Sequence, residues 1–102
     1  MSRPPWLQQT LARAVGTRSL EIARRAGVKM AFGTDLFRAP KEYQAEEFLV
    51  RAEVMTPAEI IRSATVIGAE VVRMEGKLGR VAAGHLADLL VIDGDPLSDL
   101  RV

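Results

Sequence analysis

A short apolar run that ends on an acidic residue constrains the fold of this chain more than any other feature. Val28 to Phe32 contains one polar residue, Lys29, and Gly33-Thr34-Asp35 follows it directly. A continuous apolar pattern, rather than an alternating one, is typical of a strand that is covered on both faces, as in the parallel sheets of α/β proteins. We therefore expect an α/β fold in which this run is a buried strand.

Asp35 has two interpretations. In the first, the residue only opens a loop or caps the next helix. In the second, its carboxylate lies at the C-terminal end of a parallel strand, where α/β barrels and open sheets place their active sites. Burying a carboxylate is costly unless a cation faces it. A metal ion beside Asp35 would offset that cost, and the carboxylate could then take a proton from a metal-bound water.

A helical region is expected before the strand. Pro4 and Pro5 suit the first positions of a helix, and apolar residues recur after them at helical spacing. Gly16 interrupts this pattern and Thr17 can cap a second helix, so one kinked helix or two shorter ones fit equally well. Gly27 stands where a left-handed helix terminator is expected.

A loop and a helix are expected directly after the strand. Gly33 to Lys41 has the Gly and Pro content of a loop. Glu42 to Glu53 is expected to be a helix that packs through Tyr43, Phe48 and Leu49. Its charged residues, Arg51 among them, are expected to face solvent.

The stretch "TPAE" carries the clearest local signal in the chain. Thr56 is the expected cap, Pro57 takes the first helical position and Glu59 completes a capping box. Thr65-Val66 allows a division of the following region into two helices. The pattern places Ile60, Ile61, Ala64, Ile67, Gly68, Val71 and Val72 on an apolar face, and Glu59, Arg62, Ser63, Glu70 and Arg73 on the opposite, solvated face.

The last quarter of the chain has the pattern of a β-hairpin. Two short strands are expected near Arg80 to Ala82 and Asp88 to Ile92, with a turn at Gly84. Such a hairpin needs a partner sheet or a helix, because two strands alone are marginally stable in water. We therefore divide the chain into a mostly helical part with one strand, residues 1–75, and a partial β-sandwich segment, residues 76–102.

Composition excludes several classes of function. The 102 residues include 14 basic and 13 acidic ones, and the net charge of +1 with few aromatic residues argues against a nucleic-acid partner. The chain has no cysteine, so disulfides, thiolate zinc sites and thiol nucleophiles are excluded. No apolar run has membrane-spanning length and the first residues lack the core of a signal peptide, so we expect no membrane partner and a cytoplasmic location.

Other polar patterns have simpler explanations than a site. His85 is the only histidine and lies in the predicted Gly84 turn, where we expect it to be exposed. One histidine without cysteine cannot supply the three nitrogen or sulfur ligands of a hydrolytic zinc site. The stretch "DGDPLSD" starts like a calcium loop, but Leu97 and Ser98 stand where an oxygen ligand and a glycine are needed, so we expect a turn.

The chain resembles the C-terminal part of the metal-dependent amidohydrolase superfamily in three segments, which are "AGVKMAFGTD", "MTPAEIIRSAT" and "KLGRVAAGHLADLLVIDGDPLSD". The resemblance runs from Leu20 to Leu100 and is strongest to imidazolonepropionase and related cyclic-amide and prolyl-dipeptide hydrolases. It implies a (β/α)8 barrel with a small β-sandwich. This chain would contribute the last barrel strand, the helices after it and a C-terminal β-hairpin of the sandwich.

The resemblance also implies roles for three residues. Asp35 matches the aspartate at the end of the eighth barrel strand, which in the family contacts the metal, a zinc ion, and acts as the base toward the hydrolytic water. Phe37 and Arg38 follow it and would line the substrate pocket.

The departures from the family decide what we expect of this chain alone. A barrel of this kind needs about 250 residues, and the family's His-x-His, bridging lysine and two later histidines have no counterparts here. We expect a fragment of a carbon–nitrogen hydrolase that is inactive and binds no metal by itself. The alternative is a stand-alone, non-catalytic module for oligomerisation or partner binding. Unpaired strand edges predict self-association into a dimer or a larger oligomer, with an exchange of elements as one route.

Overall fold

Four helices make up the regular structure of the described residues. The computed structural model describes residues 4–34 and 45–102, and for residues 5–13 it gives the helix without side-chain placement. The helices are α1 (Pro5–Arg25), α2 (Glu46–Arg51), α3 (Pro57–Ala64) and α4 (Val66–Val71). Within the described ranges no residue belongs to a strand, and no helix there combines the length and apolar character that crossing a membrane requires.

The N-terminal region is one helix of 21 residues with a proline at its start. α1 continues through Gly16, so the alternative of two shorter helices is wrong, and Thr17 lies inside the helix instead of capping one. Arg24 and Arg25 occupy the last turn, where a positive charge interacts favourably with the helix dipole.

α1 ends in a Schellman motif, which satisfies two of its last carbonyl groups. The N–H of Gly27 donates to the carbonyl of Arg24 and that of Val28 to the carbonyl of Ala23, each over 3.1 Å. Gly27 has a φ of 70°, a conformation that glycine adopts without steric cost. The prediction of a left-handed terminator at this residue is confirmed.

The segment after α1 is where the sequence predicts a strand. Residues 28–34 have no regular secondary structure, so the strand expected for Val28 to Phe32 is not formed among the described residues. A strand requires a neighbouring strand for its ladder of hydrogen bonds, and the described part of the chain offers none. The N–H of Phe32 instead donates to the carbonyl of Ser63 in α3, over 3.0 Å.

α2 is shorter than the helix predicted for Glu42 to Glu53. It begins at Glu46 and ends at Arg51, after which residues 52–54 form a turn. Residues 42–44, with Tyr43, lie outside the described residues, as does the part of the predicted loop from 35 to 41.

The predicted capping box and the predicted helix division are both confirmed. The Thr56 hydroxyl accepts from the Glu59 N–H over 3.3 Å, and the Glu59 carboxylate accepts from the Thr56 N–H over 2.9 Å. Pro57 is the first residue of α3. Thr65, with φ −119° and ψ −84°, separates α3 from α4.

The break at Thr65 also explains an error in the predicted apolar face. Ile60 and Ala69 are buried, as is Met55 before α3. Val71 and Val72 are 66% and 59% exposed, so their assignment to the buried face is wrong. That assignment assumes one continuous helical period, whereas the non-helical backbone of Thr65 interrupts the period between α3 and α4.

Ser63 is the second correction on α3. It was placed on the solvated face, but it is fully buried. Its hydroxyl donates to the carbonyl of Ile60 within the helix, and its own carbonyl accepts from Phe32. Ser63 is therefore buried because the segment that precedes Asp35 packs against this turn of α3.

α4 ends with the same type of terminator as α1. The N–H of Met74 donates to the carbonyl of Ala69 over 2.8 Å, and that of Arg73 to the carbonyl of Glu70 over 3.1 Å. Arg73 has a φ of 59°, which is uncommon for a residue other than glycine.

The C-terminal region contains the predicted turn but not the predicted strands. The N–H of His85 donates to the carbonyl of Ala82 over 3.1 Å, with Gly84 at a φ of 84°, which is the arrangement of a type II turn. Neither residues 80–82 nor residues 88–92 form a strand. The hairpin is unconfirmed, in line with the weak stability of two strands that lack a partner sheet.

Candidate functional site

The sequence-predicted site residues, Asp35, Phe37 and Arg38, lie outside the described residues. The structure describes the chain up to Thr34 and again from Ala45. What it shows of the candidate site is therefore the backbone that leads into Asp35 and the side chains that hold this backbone.

Arg51, at the end of α2, holds the segment that leads to Asp35. Its Nη1 donates to the carbonyl of Ala31 over 3.0 Å, and its Nη2 donates to the carbonyl of Gly33 over 3.4 Å. The planar guanidinium presents several N–H groups in a fixed fork, so one side chain can bind two carbonyls of the same backbone. We call this pair of hydrogen bonds the Arg51 clamp.

Aromatic rings and one carboxylate complete the surroundings of Arg51. The rings of Phe32 and Phe48 lie with centroids 4.4 Å apart, and the Arg51 guanidinium carbon lies 4.9 Å from the centroid of Phe32. The Nε of Arg51 donates to Glu47 over 3.1 Å, one helical turn earlier. The buried guanidinium of Arg51 is tolerated because it is paired with a carboxylate and hydrogen-bonded.

The sequence interpretation missed the buried position of Arg51 beside the segment that leads to Asp35. It was expected to be solvated, but it is only 7% exposed, so that expectation is wrong. The signal available in the sequence was Glu47 four residues earlier, a spacing that pairs opposite charges on one helix face. That signal is equally typical of exposed helix faces, and only the tertiary contacts with residues 31–33 distinguish the two cases.

The beginning of the same segment is held by a different ion pair. Lys29 donates to Glu70 of α4 over 2.9 Å. Nearby, the Nε of Arg24 donates to both carboxylate oxygens of Glu59 over 3.2 and 3.0 Å, and so joins the end of α1 to the first turn of α3. The Arg24 guanidinium, followed by the Thr56 amide, holds the pKa of Glu59 below its ordinary value of 4.5.

His85 differs from its prediction. It was expected to be exposed, but it is half-buried, and its two ring nitrogens are buried without a hydrogen-bond partner among the described residues. The turn that contains it folds back because the N–H of Leu86 donates to the carbonyl of Lys77 over 2.8 Å. The expectation of exposure is therefore wrong.

The stretch "DGDPLSD" is a turn, as predicted. The carboxylate of Asp95 accepts from the Leu97 N–H and from the Ser98 hydroxyl, each over 2.9 Å. The Arg101 side chain holds the pKa of Asp99 at about 2. Both carboxylates are thus engaged in local contacts within the chain.

A wide apolar groove lies between the helices and the C-terminal region. It has a volume of about 540 Å³, and its apolar lining includes Phe48, Ile61, Leu78, Leu86 and Ile92. Apolar surface of this kind is normally covered in a stable protein.

The chain does not contain a complete metal site within the described residues. No group of three histidine, aspartate or glutamate side chains is close enough there to hold an ion. The whole sequence has a single histidine and no cysteine, so nitrogen and sulfur ligands for a structural or hydrolytic zinc ion are missing from the donor set. The residues of this chain can therefore supply at most some of the ligands of a zinc site.

Comparison with known proteins decides the family. The model of the amidohydrolase family matches residues 8–102. The chain belongs to this family. An ochratoxinase of Aspergillus niger is 33% identical over 81 residues, which are 78% of this chain and 17% of the ochratoxinase. The resemblance drawn from the three sequence segments is thereby confirmed.

Two solved structures of larger proteins have the fold of this chain in the part that it matches. One, described as an amidohydrolase, is 51% identical with a TM-score of 0.82, over 86% of this chain and 21% of that chain. The other, a prolidase solved in complex with N-methylphosphonate-L-proline, is 52% identical with a TM-score of 0.81, over 85% of this chain and 21% of that chain. This chain thus spans about one fifth of the length of the relatives it matches.

Proposed function

We propose that this chain is the C-terminal part of a metal-dependent amidohydrolase that cleaves a carbon–nitrogen bond. The observation that carries the proposal is its likeness to the prolidase, at 52% identity and a TM-score of 0.81. The family match over residues 8–102 supports the same reaction class.

The substrate class we propose is a dipeptide or a similar amide with proline on the leaving side. The ligand named with the prolidase carries a tetrahedral phosphorus on L-proline. A tetrahedral group at this place imitates an amide carbon under attack by water, and such analogues bind because enzymes are complementary to transition states. In this proposal Phe37 and Arg38, which lie two and three residues after Asp35, line the pocket for the substrate.

Asp35 is the residue we propose for the chemistry. A zinc ion, when bound, would supply a water of lowered pKa. Asp35 would be one of the residues that hold the ion, and its carboxylate would act as general base and acid, taking a proton from the attacking water at one oxygen and delivering it to the leaving nitrogen. The other ligands have to come from parts of the enzyme beyond this segment, since the donor set of the chain is incomplete.

We further propose that the 102-residue chain is inactive by itself. Of the apolar side chains described, Met55, Ile60 and Ala69 are buried, which is a small core for the described part of the chain. The apolar groove beside α3 adds surface that a complete amidohydrolase can cover. These features are typical of a part of a larger domain.

A chimera tests the proposed function. The segment of the prolidase that corresponds to this chain is replaced by residues 8–102, and hydrolysis of prolyl dipeptides is measured together with zinc content. We expect turnover by the chimera, loss of turnover in the Asp35→Asn chimera, and none from the 102-residue chain alone. A folded chimera without turnover, or an Asp35→Asn chimera with unchanged turnover, contradicts the proposal.

A second candidate function is a self-associating, non-catalytic module. The observation in its favour is the exposure of Leu90 and Val91, 90% and 102% exposed, in a segment with strand-like sequence. Apolar segments with free backbone groups pair readily with a second copy. Under this proposal the chain forms a dimer or a larger oligomer, with exchange of elements as one route.

A further inference from the structure

We propose that Arg51 is a positioning residue that fixes the backbone immediately before Asp35 for catalysis. The inference rests on the proposed function, because it assigns a role to Arg51 within the same site. It concerns the Arg51 clamp and residues 31–34, all of which the structure describes.

The geometry of the Arg51 clamp is suited to fix the direction of the backbone at residues 31–33. The two acceptors, the carbonyls of Ala31 and Gly33, lie on either side of Phe32 in the sequence and bind one rigid guanidinium, over 3.0 and 3.4 Å. The N–H of Phe32 donates at the same time to Ser63 of α3. Three consecutive residues are therefore held from two different helices.

The surroundings of Arg51 show that it acts through the backbone rather than on a substrate. The side chain of Arg51 is 8% exposed. Its Nε is engaged by Glu47 and its plane lies near the ring of Phe32. A substrate has no access to such a group, whereas the last carbonyl it binds is two residues before Asp35.

A lysine cannot reproduce this arrangement. Its ammonium is a point charge on a flexible stem, so it can pair with Glu47 but does not span two carbonyls in a fixed fork. A misplacement of about 1 Å at a reacting group can cost about 100-fold in rate. Arg51→Lys therefore separates the charge of Arg51 from its geometry.

The test uses the prolidase chimera that carries this segment. Arg51→Lys and Arg51→Ala are compared with two controls: Glu46→Gln, which removes a charge from an exposed residue of the same helix, and Arg24→Met, which removes an ion pair elsewhere. For Arg51→Lys and Arg51→Ala we expect kcat to fall about 10- to 100-fold with KM changed less than twofold. We also expect faster amide hydrogen exchange at residues 32–34. Both controls should keep kcat within about threefold.

Chemical rescue distinguishes positioning from general stability. Added guanidinium, at concentrations well below denaturing ones, should restore part of the kcat of Arg51→Ala, whereas urea, which has a similar shape without the charge, should not. An unchanged kcat in folded Arg51→Lys overturns the inference. A loss of kcat that is fully explained by a smaller fraction of folded protein overturns it as well. If Arg51→Ala does not fold, Arg51→Lys decides alone. A chimera that is inactive without any substitution contradicts the proposed function instead, and the exchange measurement still tests the clamp.

Discussion

Gly27 and Arg73 occupy the same position of the same helix terminator, one after α1 and the other after α4. Their φ angles are 70° and 59°. In both motifs the N–H of the next residue donates to the carbonyl five residues earlier. Glycine adopts this backbone freely, whereas an L-residue with a side chain is disfavoured there by about 1–2 kcal/mol. The two sites thus form a natural pair for measuring that cost.

Exchanging the residue type at these two sites should change stability in opposite directions. Arg73→Gly should raise the free energy of unfolding by about 0.5–1 kcal/mol, and Gly27→Ala should lower it by about 1 kcal/mol. Urea unfolding at one fixed protein concentration measures both, because association would shift the apparent stability. If Arg73→Gly lowered the stability, the contacts of the arginine side chain would contribute more free energy than its unfavourable backbone conformation costs.

The ion pair between Arg24 and Glu59 should make stability depend on pH in the acidic range. The Arg24 guanidinium and the Thr56 amide lower the pKa of Glu59 from 4.5, so the folded state prefers the charged carboxylate. This contribution is fully present above pH 4.5 and is lost as the pH falls through the lowered pKa. Because both side chains are well exposed, it should not exceed about 1 kcal/mol.

The matched variant for that measurement is Glu59→Gln. The amide keeps an acceptor for the Thr56 N–H in the capping box but carries no charge. The difference in unfolding free energy between the unsubstituted chain and Glu59→Gln should therefore be constant above pH 5 and shrink below pH 4.5. If this difference in unfolding free energy stayed the same in acid, the stabilising contribution of Glu59 would come from the capping box and not from the ion pair with Arg24.

Gly79 should tolerate no side chain. A Cβ at this residue would lie 2.7 Å from the carbonyl oxygen of Thr65 and 3.0 Å from the Cβ of Ala69, and φ is 88°. Because the nearest atom belongs to the backbone, Gly79→Ala should cost about 2 kcal/mol or more. Gly76→Ala is the control, since nothing lies within 4 Å of its Cβ. Thermal unfolding of both variants checks the expectation, and equal midpoints would contradict it.

The sequence predicts those features of the fold that depend on a few neighbouring residues. The capping box of Thr56 and Glu59, the terminator at Gly27 and the turn at Gly84 all form as expected. Each is decided by side chains and backbone conformations within about four residues, which a sequence pattern contains in full.

Features that depend on distant partners were not predictable in the same way. Arg51 and Ser63 are buried by a segment that lies 18 or more residues away in the sequence, and a helical pattern gives no sign of it. The strand expected for Val28 to Phe32 requires neighbours that the described residues do not provide. Asp35 was singled out by its position after that apolar run and given its family role by resemblance, and both the site and the role stay predictions because Asp35 lies outside the described residues.

Self-association is the prediction that tests the exposed C-terminal segment. Leu90 and Val91 are almost fully exposed and lie in a segment whose backbone is not paired in a ladder. A charged residue on such an edge disfavours pairing between copies, because association would bury an unpaired charge. We therefore expect light scattering to show a dimer or a larger species for the unsubstituted chain, and the variant Leu90→Lys/Val91→Lys to dissociate at least about tenfold more readily.

Val15→Lys, at another exposed apolar residue on α1, serves as the control and should leave the mass unchanged. A chain that stays monomeric at high concentration, or a double variant with the same mass as the unsubstituted chain, would show that this segment is not the site of association.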